Sequence, residues 1–463
     1  MEKRKVSPLI ALIPVLFLIS SLYYAIQVVE ASPHIPLFTS AIFAALIGMF
    51  VLKIKWAEIE EGVVDTIKMA MGAILILMII GMVIGTWILS GVVPTMIHYG
   101  LLVLSPKIFL FATLIMCSIV SLATGSSWTT AGTVGIALMG IGMSLNIPAP
   151  VIGGAIISGA YFGDKMSPLS DTTNLAPAMA GAKLFDHIKH MIFTTGPSYV
   201  ISAILFIIVG MRYSTDNLDL TMINQITEGL GMNFTINPLL LLVPVITIGI
   251  VVLKVPAIPG LFGGAILGGI AAMVFQGASL GDVINSLHYG YESATGIEFV
   301  DSLLTRGGLD SMMWTVSLIL CAMTFGGVME KTGMLEALAS VILGFAKSTG
   351  TLVLSVIITA IGMNVLAGDQ YLSIVIPGRM FKTAFDERGL APKNLSRVLE
   401  DSGTLTSPLI PWNTCGAFMI GTLGLAPWTY VPYCFLNLIN PLVSIFYGFT
   451  GITMEKVKVE EAA

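Results

Sequence analysis

Two short, related segments carry a dense set of hydroxyl and amide side chains, and the first of them also contains two aspartates. Residues 163–174 read Gly-Asp-Lys-Met-Ser-Pro-Leu-Ser-Asp-Thr-Thr-Asn, and residues 403–414 read Gly-Thr-Leu-Thr-Ser-Pro-Leu-Ile-Pro-Trp-Asn-Thr. Their shared Ser-Pro-Leu triplets lie about 240 residues apart. Carboxylate, hydroxyl and carbonyl oxygens are the ligands that hard cations such as Na+ prefer. These residue types therefore predict cation binding at two related places.

A second pair of segments carries polar residues between two apolar arms. These are residues 124–128, Thr-Gly-Ser-Ser-Trp, and residues 367–371, Ala-Gly-Asp-Gln-Tyr. Each arm is short for a membrane crossing, so we predict re-entrant hairpins over about 107–143 and 351–382. Gly125 and Gly368 would let the hairpin tips approach their neighbours closely.

Pro168 and Pro408 predict that both Ser-Pro-Leu segments interrupt a helix. Proline lacks a backbone N–H and disfavours helix at the residue before it. We therefore expect broken helices over about 150–181 and 395–421. Unpaired backbone groups at membrane depth are tolerated only where they are buried or line a polar cavity. Duplicated breaks of opposite sidedness predict inverted repeats around a binding site near the middle of the membrane.

The candidate site residues all lie at a break or at a hairpin tip. Asp164, Asp171 and Asp369 are expected to carry Na+ and protons in turn, because a bound cation favours a carboxylate and burial favours its acid. Neutral oxygens are expected from Thr124, Ser126, Ser127, Ser167, Thr173, Asn174, Ser407, Asn413 and Thr414, with Thr172 in the same polar cluster. We expect the Na+ ion at Asp164, Asp171, Thr173 and Asn174.

Structural roles stay open for the same side chains. Asp171, Thr172, Thr173 and Asn174 are residue types that often cap the start of a helix. Asp164 lies beside Lys165, so these two residues could form an ion pair at a helix end. Asp369 follows a glycine, which is also typical of a simple turn.

The rest of the chain has the composition of a polytopic membrane protein. Of its 463 residues, 11% are charged and 56% are hydrophobic, whereas about 25% of residues are charged in soluble domains. A soluble fold cannot bury so much apolar surface, so a soluble enzyme, a nucleic-acid-binding protein and a disordered chain are excluded. The four cysteines stand singly, which fits neither a disulfide framework nor a zinc site. We expect no cofactor, and the bilayer, Na+ and protons as partners.

Apolar stretches of about 20 residues predict about ten membrane spans besides the hairpins. The expected segments are 1–68 (N-terminal membrane helices), 69–212 (first repeat), 213–310 (linking loops with two membrane helices), 311–450 (second repeat) and 451–463 (a tail). Lys3, Arg4 and Lys5 place the N-terminus in the cytoplasm by the positive-inside rule. Glu400 and Asp401 are expected in a solvated loop on that side.

Residues 159–176, with residues 124–128 ahead of them, resemble the signature of the NhaC-type Na+/H+ antiporters. The signature maps without a gap onto Asp164, Ser167, Asp171, Thr172, Thr173 and Asn174. This resemblance implies a multi-pass antiporter of the bacterial inner membrane, in the ion-transporter superfamily. It also implies a homodimer in which a transport domain moves against a scaffold. Members resembling malate–lactate exchangers occur in that family, so the resemblance leaves the substrate open.

The main hypothesis is a secondary active transporter that exchanges cytoplasmic Na+ for external H+. The alternative is Na+- or H+-coupled exchange of a small carboxylate, malate for lactate, for which Lys165 is the basic residue inside the first motif. An intramembrane aspartyl protease would use Asp164 and Asp369, but the oxygen-rich clusters beside both residues disfavour it. A channel is disfavoured because broken helices with titratable groups at the midplane suit a gated carrier.

Overall fold

The computed structural model describes residues 6–103, 105–213 and 220–457, and these ranges contain helices, loops and two isolated bridges but no strand. The all-α fold predicted from the sequence is confirmed. Lys3, Arg4 and Lys5, on which the predicted sidedness rests, and the end of the predicted tail lie outside the described residues. The helices are α1 (Pro8–Tyr23), α2 (His34–Phe50), α3 (Trp56–Leu89), α4 (Val92–Val103), α5 (Pro106–Thr124), α6 (Ser127–Thr130), α7 (Ile136–Ser144), α8 (Ala149–Met166), α9 (Asp171–Ala180), α10 (Leu184–Gly210), α11 (Leu220–Asn233), α12 (Leu242–Val252), α13 (Ala257–Phe275), α14 (Leu280–Tyr289), α15 (Glu298–Leu304), α16 (Met313–Lys331), α17 (Met334–Gly344), α18 (Thr349–Leu366), α19 (Gln370–Asp386), α20 (Pro392–Leu399), α21 (Thr414–Leu423), α22 (Pro427–Tyr430) and α23 (Phe435–Thr450).

Seven helices in the described ranges are long and apolar enough to cross a membrane, or up to nine if each of two bent pairs forms one span. The sequence predicted about ten. Helix α2, with 17 residues, and α21, with 10, are shorter than a full span. Helix α3 is longer than predicted, with 34 residues, because its first turns are charged and an apolar count overlooks them. The chain is therefore a multi-pass membrane protein.

The arms of both predicted hairpins are longer than the apolar runs suggested. Helix α5 has 19 residues and α18 has 18, and both qualify as spans by length and composition. The argument that each arm is too short to cross was therefore wrong for the first arm of each hairpin. Helix-start signals lie ahead of both apolar runs: α5 begins with a proline in its first turn, and Ser348 forms a capping box with Thr351 at the start of α18.

Both predicted helix breaks contain non-helical backbone, but they lie differently relative to their prolines. The first break comprises residues 167–170, between α8 and α9, and includes Pro168. In the second, α20 continues through a π-helical turn, Glu400–Thr404, and a 3-10 turn, Ser407–Leu409. Pro408 lies in that 3-10 turn, at one of its first two positions. The chain leaves the helix at residues 410–413, later than predicted.

Glycines hold α5 directly against α8. A Cβ atom on Gly159 would lie 2.4 Å from the carbonyl oxygen of Leu114, and one on Gly163 would lie 2.4 Å from the backbone nitrogen of Leu122. Small residues at such positions let two helix backbones touch. This packing brings the C-terminal end of α8, where the first break begins, beside the C-terminal end of α5, where the first hairpin tip begins.

Candidate ion-binding site

A cavity of about 460 Å³ lies where the two hairpin tips meet the two helix breaks. One wall is polar and comes from both halves of the chain. The other wall is mainly apolar and comes from α3 and from residues 251–257. The predicted site residues that line this cavity are Thr124, Gly125, Ser126, Asp164, Asp171, Thr172, Asp369 and Thr414. Residues about 240 positions apart in the sequence thus share one cavity.

Asp164 lies at the end of α8 with its carboxylate among hydrogen-bond donors. Its Oδ2 accepts from the backbone N–H (3.1 Å) and the hydroxyl (2.6 Å) of Ser127 at the first hairpin tip. Its Oδ1 accepts from the Ser170 hydroxyl at 2.5 Å. The side chain is buried, and three donors compensate the cost of holding a charge away from bulk water. The Asp164 carboxylate therefore bonds to both the first tip and the first break, and Asp164 also lines the cavity.

Asp369 has a capping role as well as a place in the cavity wall. Its Oδ1 accepts from the backbone N–H groups of Tyr371 and Leu372, at 2.9 and 3.1 Å, and so caps α19. Its Oδ2 lies 3.4 Å from the Thr414 hydroxyl, beyond the second break. The backbone N–H of Thr414 donates to the carbonyl of Gly368 at 2.8 Å. The second tip and the second break are therefore bonded to one another, as the first pair is.

Asp171 differs from the other two carboxylates because it is exposed. It is the first residue of α9, where a negative charge is favoured by the helix dipole. Its Oδ2 accepts from the Tyr371 hydroxyl at 3.2 Å. Tyr371 is the last residue of the second tip, so this bond joins the two halves of the chain across the cavity.

The remaining predicted ligands do not line the cavity. Ser127 acts on Asp164, whereas the others bond mostly to backbone. Their partners are the Leu122 carbonyl for Ser167, the Asp164 and Lys165 carbonyls for Thr173, the Pro168 and Ser170 carbonyls for Asn174, the Thr404 carbonyl for Ser407, and Asn364 with the Cys415 N–H for Asn413. Of the four residues predicted to hold Na+, Asp164 and Asp171 line the cavity and Thr173 and Asn174 do not.

Gly125 is required at the first tip for two reasons. Its φ of +70° lies in the left-handed region, and a Cβ atom there would sit 2.7 Å from the carbonyl carbon of Leu169 in the first break. Gly368 has a similar φ of +67°, with Trp412 of the second break near it. Both tips therefore approach their break closely, as the sequence suggested.

We expect Gly125→Ala to raise the cation concentration for half-maximal transport by about tenfold, because strain of about 1–2 kcal/mol and the contact with Leu169 displace the tip. Gly277→Ala is the matched control, since Gly277 has a φ of +68° but nothing within 4 Å of its Cβ position. Initial transport rates against cation concentration measure both variants. Equal effects of the two substitutions would contradict a close approach at Gly125.

A buried charge cluster, made of Lys165, Arg397, Glu400 and Asp401, lies behind the cavity. The Lys165 ammonium donates to Asp401 Oδ1 and, at 3.1 Å, to Asn440. Lys165 therefore pairs with Asp401 and not with its neighbour Asp164. Arg397 approaches the other oxygen of Asp401 to 4.0 Å. Lys165 and Asp401 are fully buried and do not line the cavity.

Glu400 and Asp401 were expected in a solvated loop, but both are fully buried. Helix α20 and the π-helical turn that follows it pack against α9, α10, α18, α19 and α23. A usable signal was present, because both residues fall inside the broken helix predicted from about 395. Ionisable residues within a membrane segment are costly and usually face the protein interior.

Several polar cavity-lining residues were not among the predicted site residues, and one of them is Ser170 in the first break. Gln370 and Tyr371 follow Asp369 in the second tip, and Lys254 lies past the end of α12. Gln370 and Tyr371 could have been predicted as site residues, because both belong to the tip segment 367–371. Lys254 carries no local signal, because only the packing of α12 beside the tips brings it to the cavity.

Comparison with known proteins agrees with the motif resemblance. A sequence model described as the Na+/H+ antiporter family matches residues 159–452. The Na(+)/H(+) antiporter NhaC of Alkalihalophilus pseudofirmus is 42% identical over 430 residues, covering 93% of this chain and 92% of that protein. The NhaC of Bacillus subtilis is 39% identical over 435 residues, covering 94% and 96%.

One relative of similar identity carries a different name. The malate-2H(+)/Na(+)-lactate antiporter of Bacillus subtilis is 40% identical over 418 residues, covering 90% of this chain and 89% of that protein. The family match extends over both helix breaks, all three cavity-lining aspartates and the buried cluster behind them. The chain belongs to the Na+/H+ antiporter family.

Proposed function

We propose that this protein exchanges Na+ for H+ across the membrane and that the two ions occupy its central cavity in turn. The observation that carries the proposal is the convergence of Asp164, Asp171 and Asp369 on one cavity with hydroxyl and amide oxygens. Within the described ranges, no group of three or more His, Cys, Asp or Glu side chains is close enough to hold a metal ion. A transported Na+ would therefore meet one or two carboxylates and neutral oxygens, which suits reversible binding.

Asp164 is the residue best placed to alternate between the two ions. Bound Na+ or a bound proton each removes its net negative charge, whereas an empty carboxylate would have to carry its charge through the membrane interior. Movement of the loaded site is therefore favoured over movement of the empty one. Because the loaded site crosses at a lower free-energy cost than the empty site, the outward movement of one ion is coupled to the inward movement of the other.

The cavity walls support a moving polar part against an apolar surface. Helix α3, which supplies much of the apolar wall, packs against α13 and α16. We assign these helices to the scaffold and the tips and breaks to the transport domain. A homodimer, a cytoplasmic N-terminus and a place in the bacterial inner membrane belong to the same proposal.

Exchange of a small carboxylate is the second candidate, and two observations favour it. One is the malate–lactate relative, at 40% identity. The other is Lys254, the one basic side chain among the described residues that line the cavity. Lys165, which the sequence offered for this role, is paired with Asp401 and does not reach the cavity.

Purified protein in proteoliposomes distinguishes the two functions. We expect an imposed Na+ gradient to move protons, recorded by a trapped pH-sensitive dye, and labelled malate to enter no faster than in protein-free liposomes. Lys254→Ala is the matched variant, because it removes the cavity's basic group and leaves the three carboxylates. Malate uptake that depends on Lys254, without Na+-driven proton movement, would overturn the proposed function in favour of carboxylate exchange.

A further inference from the structure

Glu400 has a fully buried carboxyl group, and the exchange proposed above gives this group no role. It begins the π-helical turn Glu400–Thr404. Neither of its carboxyl oxygens has a hydrogen-bond partner among the described residues. Buried polar groups are nearly always paired, and an unpaired one is costly. Short π-helical segments inside helices often occur at functional sites.

The charges around Glu400 act on its carboxyl group in opposite senses. Lys165, Arg397 and Asp401 together carry one net positive charge in the buried cluster. An ionised Glu400 would bring these four residues to neutrality, and the positive charge of Lys165 favours that form, whereas the negative charge of Asp164 opposes it. A protonated Glu400 would avoid the cost of a buried carboxylate without hydrogen bonds. From α10, His187 and His190 also face this cluster, through Lys165 and Arg397 respectively.

Thr172 connects Glu400 to the cavity. Its side chain lies beside the Glu400 carboxyl and also lines the cavity wall. Its Oγ1 lies 3.2 Å from the Ser170 hydroxyl. Thr404 also lies beside the Glu400 carboxyl group, and its hydroxyl oxygen has no hydrogen-bond partner among the described residues. A rotation of either threonine side chain, or one bridging water, would complete a hydrogen-bonded path from the cavity to the Glu400 carboxyl group.

We propose that Glu400 is a second proton-carrying residue of this antiporter, reached from the cavity through the Thr172 hydroxyl. A hydronium ion in the cavity gives a proton to Thr172 Oγ1 while the original hydroxyl proton of Thr172 passes to the Glu400 carboxylate. The products are water, an unchanged threonine and a neutral glutamic acid, and the reverse steps release the proton. Na+ stays in the cavity and does not need to reach Glu400. This inference rests on the proposed Na+/H+ exchange.

The test compares two modes of transport in the same proteoliposomes. One is exchange of Na+ for protons, and the other is exchange of labelled Na+ for unlabelled Na+, which moves no proton. We expect Glu400→Gln to lower the ratio of the first rate to the second by about tenfold or more, since a relay residue acts only where a proton moves. Thr172→Val is expected to lower it in the same direction, whereas Thr172→Ser, which keeps the hydroxyl, restores it. Glu298→Gln, on an exposed residue, is the matched control.

The outcomes are separable. A wild-type ratio in both Glu400→Gln and Thr172→Val would overturn the relay and leave the proposed function intact. An equal loss of both modes in folded Glu400→Gln protein would also overturn it, because Glu400 would then be needed for Na+ movement itself. If Glu400→Gln fails to fold, the Thr172→Val and Thr172→Ser pair decides the question. Wild-type protein without Na+-driven proton movement would instead overturn the proposed function.

Discussion

Asp164→Asn is expected to abolish Na+/H+ exchange, with a loss of about 100-fold or more in rate. Asparagine cannot take up or release a proton, and it has no negative charge to attract Na+. Its amide N–H₂ would also face the donors of Ser127 and Ser170, which now bond to the two carboxylate oxygens. Hydrogen bonds to a charged group contribute about 1.5–3 kcal/mol each, and about 2.7 kcal/mol corresponds to 100-fold. Na+-driven proton movement in proteoliposomes measures the effect.

Asp386→Asn provides the matched control for this substitution. Asp386 is an exposed aspartate at the end of α19, away from the cavity lining. The same change of side chain there is expected to leave exchange within about twofold of wild type, as surface substitutions usually have small effects. Normal exchange by Asp164→Asn protein would remove Asp164 from the centre of the proposed site.

Lys165→Met has the second large expected effect, and it concerns stability. Removing the ammonium leaves the buried Asp401 carboxylate with the more distant Arg397, at 4.0 Å, as its remaining ion-pair partner. Breaking a buried pair in this way costs about 3–5 kcal/mol in free energy of unfolding. Denaturation of the purified protein in mixed micelles measures that free energy. Because Lys165 adjoins Asp164, loss of transport alone would not establish the pair's role, whereas loss of stability would.

Two comparison variants test the cause of this instability. Lys331→Met breaks the exposed ion pair with Glu61, which has a nitrogen–oxygen distance of 2.8 Å, and should cost less than about 1 kcal/mol. The double variant Lys165→Met with Asp401→Leu removes both charges of this pair and should recover part of the lost stability. An effect of Lys165→Met no larger than that of Lys331→Met would show that the buried pair does not hold α8 to the second broken helix.

Much of the site's location was predictable from local sequence. Pro168 with its oxygen-rich neighbours indicated the first break, and Gly125 and Gly368 indicated tips that approach other backbone closely. Each of these signals is local, because proline and glycine act through their own backbone torsions. The second break was misplaced by a few residues, since the helical turns continue past Pro408 to Leu409.

Composition and local motifs thus determined the membrane class, the family resemblance and the segments that meet. Only the tertiary structure decided which side chains face the cavity: Asp164 and Tyr371 do, whereas Thr173 and Asn174 bond to backbone and do not line it. It also decided that Lys165 pairs with Asp401, 236 residues away, and that Glu400 is buried. The physical reason is that a side chain's direction depends on how its helix is rotated against its neighbours. Those neighbours come from distant parts of the chain, so no local preference can specify them.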